Sequence, residues 1–442
     1  MLATLPALGA KQKGDAKPEL HLVTAARAAF HGAYCLDGTL PGYWHDAPAT
    51  PSSDWLLFLD GGAWCYDAQS CEARSREFRG SSRHFPSRYW PYSGPMSANP
   101  TLNPAFAGFH RVVLGYCDGG SWLGDRHAPL LSGGRPLYLR GKRVLDAIID
   151  ELLATTELKS AARVLWSGGS AGGLGALAAA NRVHEKLAAA RVYKVMVLSG
   201  FFLQRGGAAD GVEDGGLACA GRRRAAPGAA EPSPACLPWV TKMRRMYDLH
   251  NASSGVSAEC AAARPAAERW KCVFAAPSAA AVRAPLYVIN SALDSWQLVN
   301  VWRRFPRCRY ADARNCSADA AAADVAELNG MVRTFVDDLR LGLGGEGGGG
   351  APRAGSGAFI ETCNEHIAGL APGGYRGYQI GGERMRDALA SWWAAPPDAP
   401  AKLLLPCELQ AGKGRDSGCN PTCAEHRMKR RLNQECACDP LP

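Results

Sequence analysis

A chain of 442 residues with 47% hydrophobic side chains has the apolar content for one large α/β domain with insertions, or for two domains, and is not globally disordered. Its formal charge of +9 is compatible with an acidic polymer as partner but is too diffuse for a nucleic-acid footprint. No apolar run reaches the roughly 18 residues that a membrane-spanning helix needs, so no membrane span is expected.

Residues 1–30 read as a poorly defined N-terminal segment. Its first ten residues are apolar but lack a basic leader and make a poor signal peptide, so a start that is truncated or misassigned is one expectation. The strand WLLFLD follows at 55–60, a continuous apolar run that ends in Gly61-Gly62-Ala63-Trp64. Residues 74–104, rich in Ser, Pro and aromatics, read as a long surface excursion. A second strand at 111–117 runs into Asp118-Gly119-Gly120-Ser121, and residues 137–155 carry apolar side chains at helical spacing. A strand at 163–169 and an alanine-rich helix to about 190 come next, then a strand at 193–198.

Residues 206–236 break the pattern and read as a loop or inserted cap. Helices are expected at 239–251, 261–275, 296–305, 320–341 and 385–393, with strands at 285–290 and 359–363, the latter the last strand. A glycine linker is expected at 343–357. Strands alternating with helices predict a mostly parallel sheet with helices on both faces, and chemistry in such sheets gathers beyond the strands' carboxyl ends. A single domain over 31–405 with a Cys-rich tail at 406–442 is the expected organisation, with 206–236 and 343–357 as flexible loops.

Sixteen cysteines, the last five between Cys407 and Cys438, suit disulfides in an oxidising compartment. Two sequons, at Asn251 and Asn315, fit a secreted glycoprotein. Secretion is thus inferred from cysteines rather than from targeting. The tail spacings Cys419-x-x-x-Cys423 and Cys436-x-Cys438 do not match paired zinc ligands, so disulfides are favoured there and no metal is expected.

The chain is organised around Gly168-Gly169-Ser170-Ala171-Gly172, a G-x-S-x-G joint between a strand and a helix. Such an elbow holds its serine in a strained turn, and glycine two positions either side relieves collision with the neighbouring backbone. No Gly-Lys-Ser/Thr follows, which excludes a phosphate loop, and the third position of G-x-G-x-x-G is Ser170 rather than the glycine a dinucleotide fingerprint needs.

A serine hydroxyl needs a base, and the base needs an orienting acid. Of the later histidines, His184 lies on the elbow helix and reads as surface, His250 sits in a variable polar stretch and His426 in the tail. His366 directly follows a strand and is best placed. Asp294 is the one carboxylate in the turn after PLYVIN. Its alternative role is a helix N-cap, and its rival is Asp312. Backbone amides of Gly62, Ala63 and Ala171 are the candidates for an oxyanion hole; the plain alternative for Gly61-Gly62 is a tight turn.

Several segments, in order, resemble the plant pectin acetylesterase family: LFLDGGAWC, YCDGGSWLGD, LYLRGKRVLDAIIDELL, SGGSAGGLGAL, PLYVINSALDSWQL, FIETCNEH and CNPTC, within a similarity that runs from about Cys35 to Cys423 and is weak at 206–236 and 343–357. That family also contains Notum-type carboxylesterases, which remove a fatty acyl group from Wnt proteins. The resemblance implies an α/β-hydrolase-like serine esterase with long insertions and disulfides. Ser170 would be its nucleophile, Asp294 its acid, His366 its base, and Gly62, Ala63 and Ala171 its oxyanion donors. It further implies an acetylated polysaccharide substrate, a secreted or cell-wall location, a monomer, and no cofactor. Two departures stand out: Ile367 and Ala368 follow His366 where plant members read closer to C-x-x-H-C-Q, and Ala63 replaces a family glycine, its methyl narrowing the space for an acyl chain. The competing readings are a lipid-ester hydrolase of Notum type, which needs a deep apolar pocket, and a catalytically idle, disulfide-braced glycan-binding protein.

Overall fold

A computed structural model describes residues 18–88, 93–205, 237–303, 318–344, 351–406 and 409. Its strands, in chain order, are β1 (Glu19–Leu22), β2 (Gly42–Asp46), β3 (Asp54–Leu59), β4 (His110–Leu114), β5 (Leu130–Ser132), β6 (Arg135–Leu137), β7 (Arg163–Gly169), β8 (Val192–Leu198), β9 (Leu286–Ser291), β10 (Gly357–Glu361), β11 (Gln379–Ile380), β12 (Glu383–Arg384) and β13 (Lys402–Leu404). Nine of them make one sheet in the order β1-β2-β4-β3-β7-β8-β9-β10-β13. The pairings β1/β2 and β2/β4 are antiparallel, and every other pairing in that sheet is parallel.

Strand periodicity divides the apolar residues between two cores. Trp55, Leu57 and Leu59 of β3 face one core, with Val164 and Trp166 of β7 and Val195 and Val197 of β8. Leu56, Phe58, Leu165, Met196 and Leu198 face the other. Helices Gly141–Thr155, Ala171–Lys186 and Ala318–Gly344 cover the first face, and helix Met385–Ala394 covers the second. Parallel strands buried on both faces read as near-continuous apolar runs, which is why 55–60 and 193–198 are legible as strands.

The structure departs from expectation in several places. The N-terminal segment is built from Glu19 onward: β1 extends the sheet edge, and helix Ala25–His31 is tied to helix Gly141–Thr155 by an Arg27–Glu151 ion pair at 2.6 Å. Residues 74–104 are more than a surface excursion, since Phe85 and Met96 join the second core. The single helix expected at 261–275 is three short pieces, Ala258–Ala262, Ala266–Val273 and Ala275–Ala280. Pro265 lacks an N–H to continue the first, and Phe274 is extended between the others. The helix expected at 296–305 is a turn at Ser295–Gln297 leading into a π-helical turn at Leu298–Trp302, ended by Arg303 at φ 52°. The strand expected at 359–363 is β10, and β13 pairs beyond it. Helix Ala318–Gly344 and β10 take the ends of the expected glycine linker. The insertion at 206–236, the middle of that linker, and the tail apart from residues 406 and 409 lie outside the described residues, with Asp312, His426, Asn315 and the tail cysteines.

Disulfides Cys35–Cys117, Cys65–Cys71 and Cys260–Cys272 are present, and Cys363 is also disulfide-bonded. Lys194 interrupts the apolar run of β8, yet it is buried. Its Nζ donates to the carbonyls of Trp392, Trp393 and Ala395 at 2.8, 3.1 and 2.7 Å, capping helix Met385–Ala394.

On the sheet near its antiparallel edge, His45 Nε2 lies 3.1 Å from His110 Nδ1, and His110 stacks on Trp55 at 4.2 Å. Burial, then the neighbouring His110, pulls His45 down to about 4. The folded value lies below the ordinary value of 6.5, so the unfolded chain binds more protons between those pH values and stability rises with pH across that window. Urea midpoints should therefore fall on acidification from pH 6.5 to about 4, and His45→Gln should flatten that dependence. An unchanged slope in the variant would assign the acid sensitivity elsewhere.

Candidate active site

The sheet delivers its functional loops at the carboxyl ends of β3, β7, β8, β9 and β10. Ser170 sits between β7 and helix Ala171–Lys186 with φ 54° and ψ −127°, the strained backbone of an elbow. The surrounding glycines are needed for close backbone approach. A methyl on Gly168 would stand 2.2 Å from Gly172 O, and one on Gly172 would stand 2.1 Å from Leu59 O. A methyl on Gly61 would meet Ala171 N at 2.9 Å. The loop after β3 therefore lies directly against the amide that follows the serine.

His366 lies on the loop after β10. Its Nε2 is 2.9 Å from Ser170 Oγ, and its Nδ1 is 2.7 Å from Asp294 Oδ2. The loop is pinned from two neighbouring strand ends. Ile367 N, at φ 66°, donates to Ser199 Oγ at 2.9 Å, and Ser291 Oγ donates to Cys363 O at 2.5 Å. Asp294, buried after β9, makes the contacts of both readings considered for it. Its Oδ1 accepts from the amides of Trp296 and Gln297, each at 3.0 Å, and its Oδ2 faces the imidazole. The cap fixes the carboxylate, and the free oxygen fixes the ring with the Nδ1 proton toward it. Glu361 is also buried nearby; burial, aided by the charges of Glu365 and Asp294, pushes its carboxyl well above the usual range.

The candidate oxyanion loop, Gly61 to Trp64, is held from outside by its carbonyls. Arg74 donates to Gly62 O at 2.8 Å and to Trp64 O at 3.3 Å. Tyr116 OH donates to Ala63 O at 2.9 Å, and Trp122 Nε1 donates to Asp60 O at 3.1 Å. A peptide N–H points opposite its own carbonyl, so anchoring Gly62 O turns the Ala63 N–H the other way. Ser121 joins loop and elbow: its Oγ accepts from Trp64 Nε1 at 2.6 Å and donates to Ala171 O at 2.8 Å. Asp118, buried, shapes the turn carrying Ser121 by accepting from the amides of Gly120 and Trp122, and burial raises it to about 7. Among the described residues, six of the eight non-glycine residues at positive φ belong to this region: Ala63, Ser121, Trp122, Ser170, Ser199 and Ile367.

Sequence reasoning attaches no roles to Arg74, Tyr116, Ser121, Trp122 or Ser199. The available signal was the polar, glycine-rich cluster after β4, which by position lies at the same sheet edge. Of the rival histidines, His184 stacks on Tyr193 at 4.3 Å. His250 is fully buried, its Nε2 3.6 Å from Cys65 Sγ. Cys65, Cys71 and His250 are close enough to hold a metal, but the sulfurs are joined to each other and are not available as thiolates.

Comparison with known proteins agrees with this architecture. A family profile described as pectinacetylesterase matches residues 11–210 and 238–409. Pectin acetylesterase 7 of Arabidopsis thaliana is 26% identical over 403 residues, covering 90% of this chain and 90% of that protein. The palmitoleoyl-protein carboxylesterase NOTUM of Homo sapiens is 33% identical over 157 residues, 35% of this chain and 30% of that one. The structure of the Wnt deacylase Notum from Drosophila aligns with a TM-score of 0.67 over 92% of this chain and 100% of that chain, at 19% identity, which shows a shared α/β-hydrolase-like fold.

Two substitutions separate the jobs described above, read by the rate at which a serine-directed fluorophosphonate labels the protein. Asp294→Asn keeps an acceptor for the cap but loses the charged partner of Nδ1. Labelling should slow about 10³- to 10⁴-fold, with stability changed by less than about 1 kcal/mol. Arg74→Met frees two loop carbonyls and should slow labelling about 10- to 100-fold, the scale for displacing one donor. Wild-type labelling rates in these variants would contradict the assignments.

Proposed function

The chain belongs to the pectinacetylesterase family and is a carboxylic ester hydrolase; on that premise we propose that it removes acetyl groups from a cell-wall polysaccharide such as pectin through a Ser170–His366–Asp294 acyl-enzyme mechanism. The observation that carries the proposal is His366 within hydrogen-bond reach of both Ser170 Oγ and Asp294 Oδ2, at 2.9 and 2.7 Å. Three loops distant in sequence converge on one imidazole, which a binding protein without catalysis does not require.

In the proposed reaction, Ser170 Oγ attacks the acetyl carbonyl as His366 Nε2 takes its proton. The carbonyl oxygen becomes an oxyanion facing the amides of Gly62, Ala63 and Ala171. Asp294 holds the ring and stabilises the imidazolium. His366 returns the proton to the departing sugar oxygen, leaving an acetyl ester on Ser170. Water, deprotonated by the same nitrogen, then attacks that ester, and acetate leaves with Ser170 restored. Besides substrate and water, the steps draw on side chains and backbone of this chain.

Relatives named pectin acetylesterase support an acetylated pectic substrate. The disulfides support an oxidising, extracellular or cell-wall setting. No helix among the described residues is long and apolar enough to cross a membrane.

Ser170→Ala should lower kcat for p-nitrophenyl acetate and for acetylated pectin by at least about 10⁴-fold, with the thermal melting curve unchanged. Acetate release from pectin at the wild-type rate by the variant would refute the mechanism. Hydrolysis of p-nitrophenyl acetate without any release from pectin would refute the substrate and leave the triad standing.

A further inference from the structure

Beside the triad stand four aromatic rings: Trp64, Phe202, Trp239 and Trp296. Trp64 follows the candidate oxyanion residue Ala63, Phe202 follows the end of β8, Trp239 opens helix Trp239–Leu249, and Trp296 is two residues past Asp294. Every ring touches the other three. The Trp64 centroid is 5.1 Å from those of Phe202 and Trp239 and 5.4 Å from that of Trp296. Phe202 lies 5.9 Å from Trp239 and 5.2 Å from Trp296, and Trp239 lies 5.3 Å from Trp296. Most of these contacts are edge-to-face, the arrangement in which ring edges fill the space between faces. Phe202, Trp239 and Trp64 are buried, and Phe202 is 6.2 Å from the His366 ring.

The cluster is fixed by hydrogen bonds as well as by packing. Trp64 Nε1 donates to Ser121 Oγ, and Trp239 Nε1 donates to Leu203 O at 2.9 Å. It is also hinged to the reaction centre, because Ser121 Oγ donates to Ala171 O. Of the groups on an attacked carbonyl carbon, the oxyanion is claimed by the loop amides and the departing oxygen must face His366 Nε2. The acyl chain takes the remaining direction, and the rings stand close to the imidazole, with Phe202 6.2 Å from the His366 ring.

We infer that Trp64, Phe202, Trp239 and Trp296 form an aromatic plug that closes the acyl side of the site and sets its specificity for short acyl groups, acetyl foremost. The inference rests on the triad reading above and deepens it. A two-carbon acyl group ends before the rings. A chain of eight carbons has to displace at least one of them, and each ring is braced by the other three. The Ala63 methyl works in the same direction from the oxyanion loop. The four rings arrive from four separate segments, so the plug is a property of the fold rather than of one motif.

The test is chain-length selectivity in the full-length protein, as kcat/KM for p-nitrophenyl acetate, butyrate and octanoate. Wild type should prefer acetate over octanoate by at least about 100-fold, and Trp239→Ala, which removes the ring that also packs against Phe274, should raise the octanoate-to-acetate ratio at least about 10-fold. Trp296→Ala should do the same; a melting curve checks that each variant folds, and Trp239→Leu serves if the alanine variant does not. A wild-type enzyme that turns over octanoate as readily as acetate, or folded variants with the wild-type ratio, would overturn the plug while leaving the triad intact. Hydrolysis that persists in Ser170→Ala would instead overturn the triad reading.

Discussion

One imidazole connects parts of the chain that are far apart in sequence: His366 reaches across 72 residues to Asp294 and 196 residues to Ser170. Neither contact forms unless β7, β9 and β10 are in register and their loops leave the sheet on the same edge. The parallel pairings β7/β8, β8/β9 and β9/β10 set that register. The side-chain hydroxyls at the ends of β8 and β9, Ser199 and Ser291, then hold the histidine loop over the serine. The proposed chemistry thus depends on strand alignment first and on loop anchoring second.

The elbow imposes a matching constraint at backbone level. Gly168 and Gly172 allow strand, turn and helix to approach so closely that a side chain on either would collide with a carbonyl, and Gly61 brings the loop after β3 against the same turn. That loop has no regular hydrogen bonding of its own, so its carbonyls are satisfied from outside by Arg74, Tyr116 and Trp122. Anchored carbonyls mean preset N–H directions, the preorganisation on which oxyanion stabilisation depends. Positive φ at Ala63, Ser170, Ser199 and Ile367 shows where the fold accepts backbone strain to aim these groups.

Much of this was legible in the sequence because it rests on local signals. β3, β7 and β8 announce themselves as apolar runs, the elbow as a glycine-spaced serine, and Asp294 and His366 as polar residues just past strands. Asp294 also shows that a helix-cap contact and a contact to the imidazole need not compete, since the carboxylate has an oxygen for each. What stayed hidden depends on tertiary packing. The edge strands β1 and β13 are short and draw their stability from their neighbours. Lys194 looks misplaced in a buried strand until three carbonyls from a helix some 200 residues later surround it. Arg74 and Ser121 have no spacing relation to the residues they position, and the aromatic plug assembles rings from four distant segments.

The central claim is that the acyl group passes through an ester on Ser170, with His366 moving the proton. The most direct measurement is rapid acid quench during turnover of an acetylated substrate, followed by mass spectrometry of the peptide containing Ser170. The account predicts an acetyl adduct on Ser170 that forms within the first turnover and disappears once substrate is exhausted. Steady acetate release with Ser170 never acetylated, or with the adduct on another residue, would contradict it.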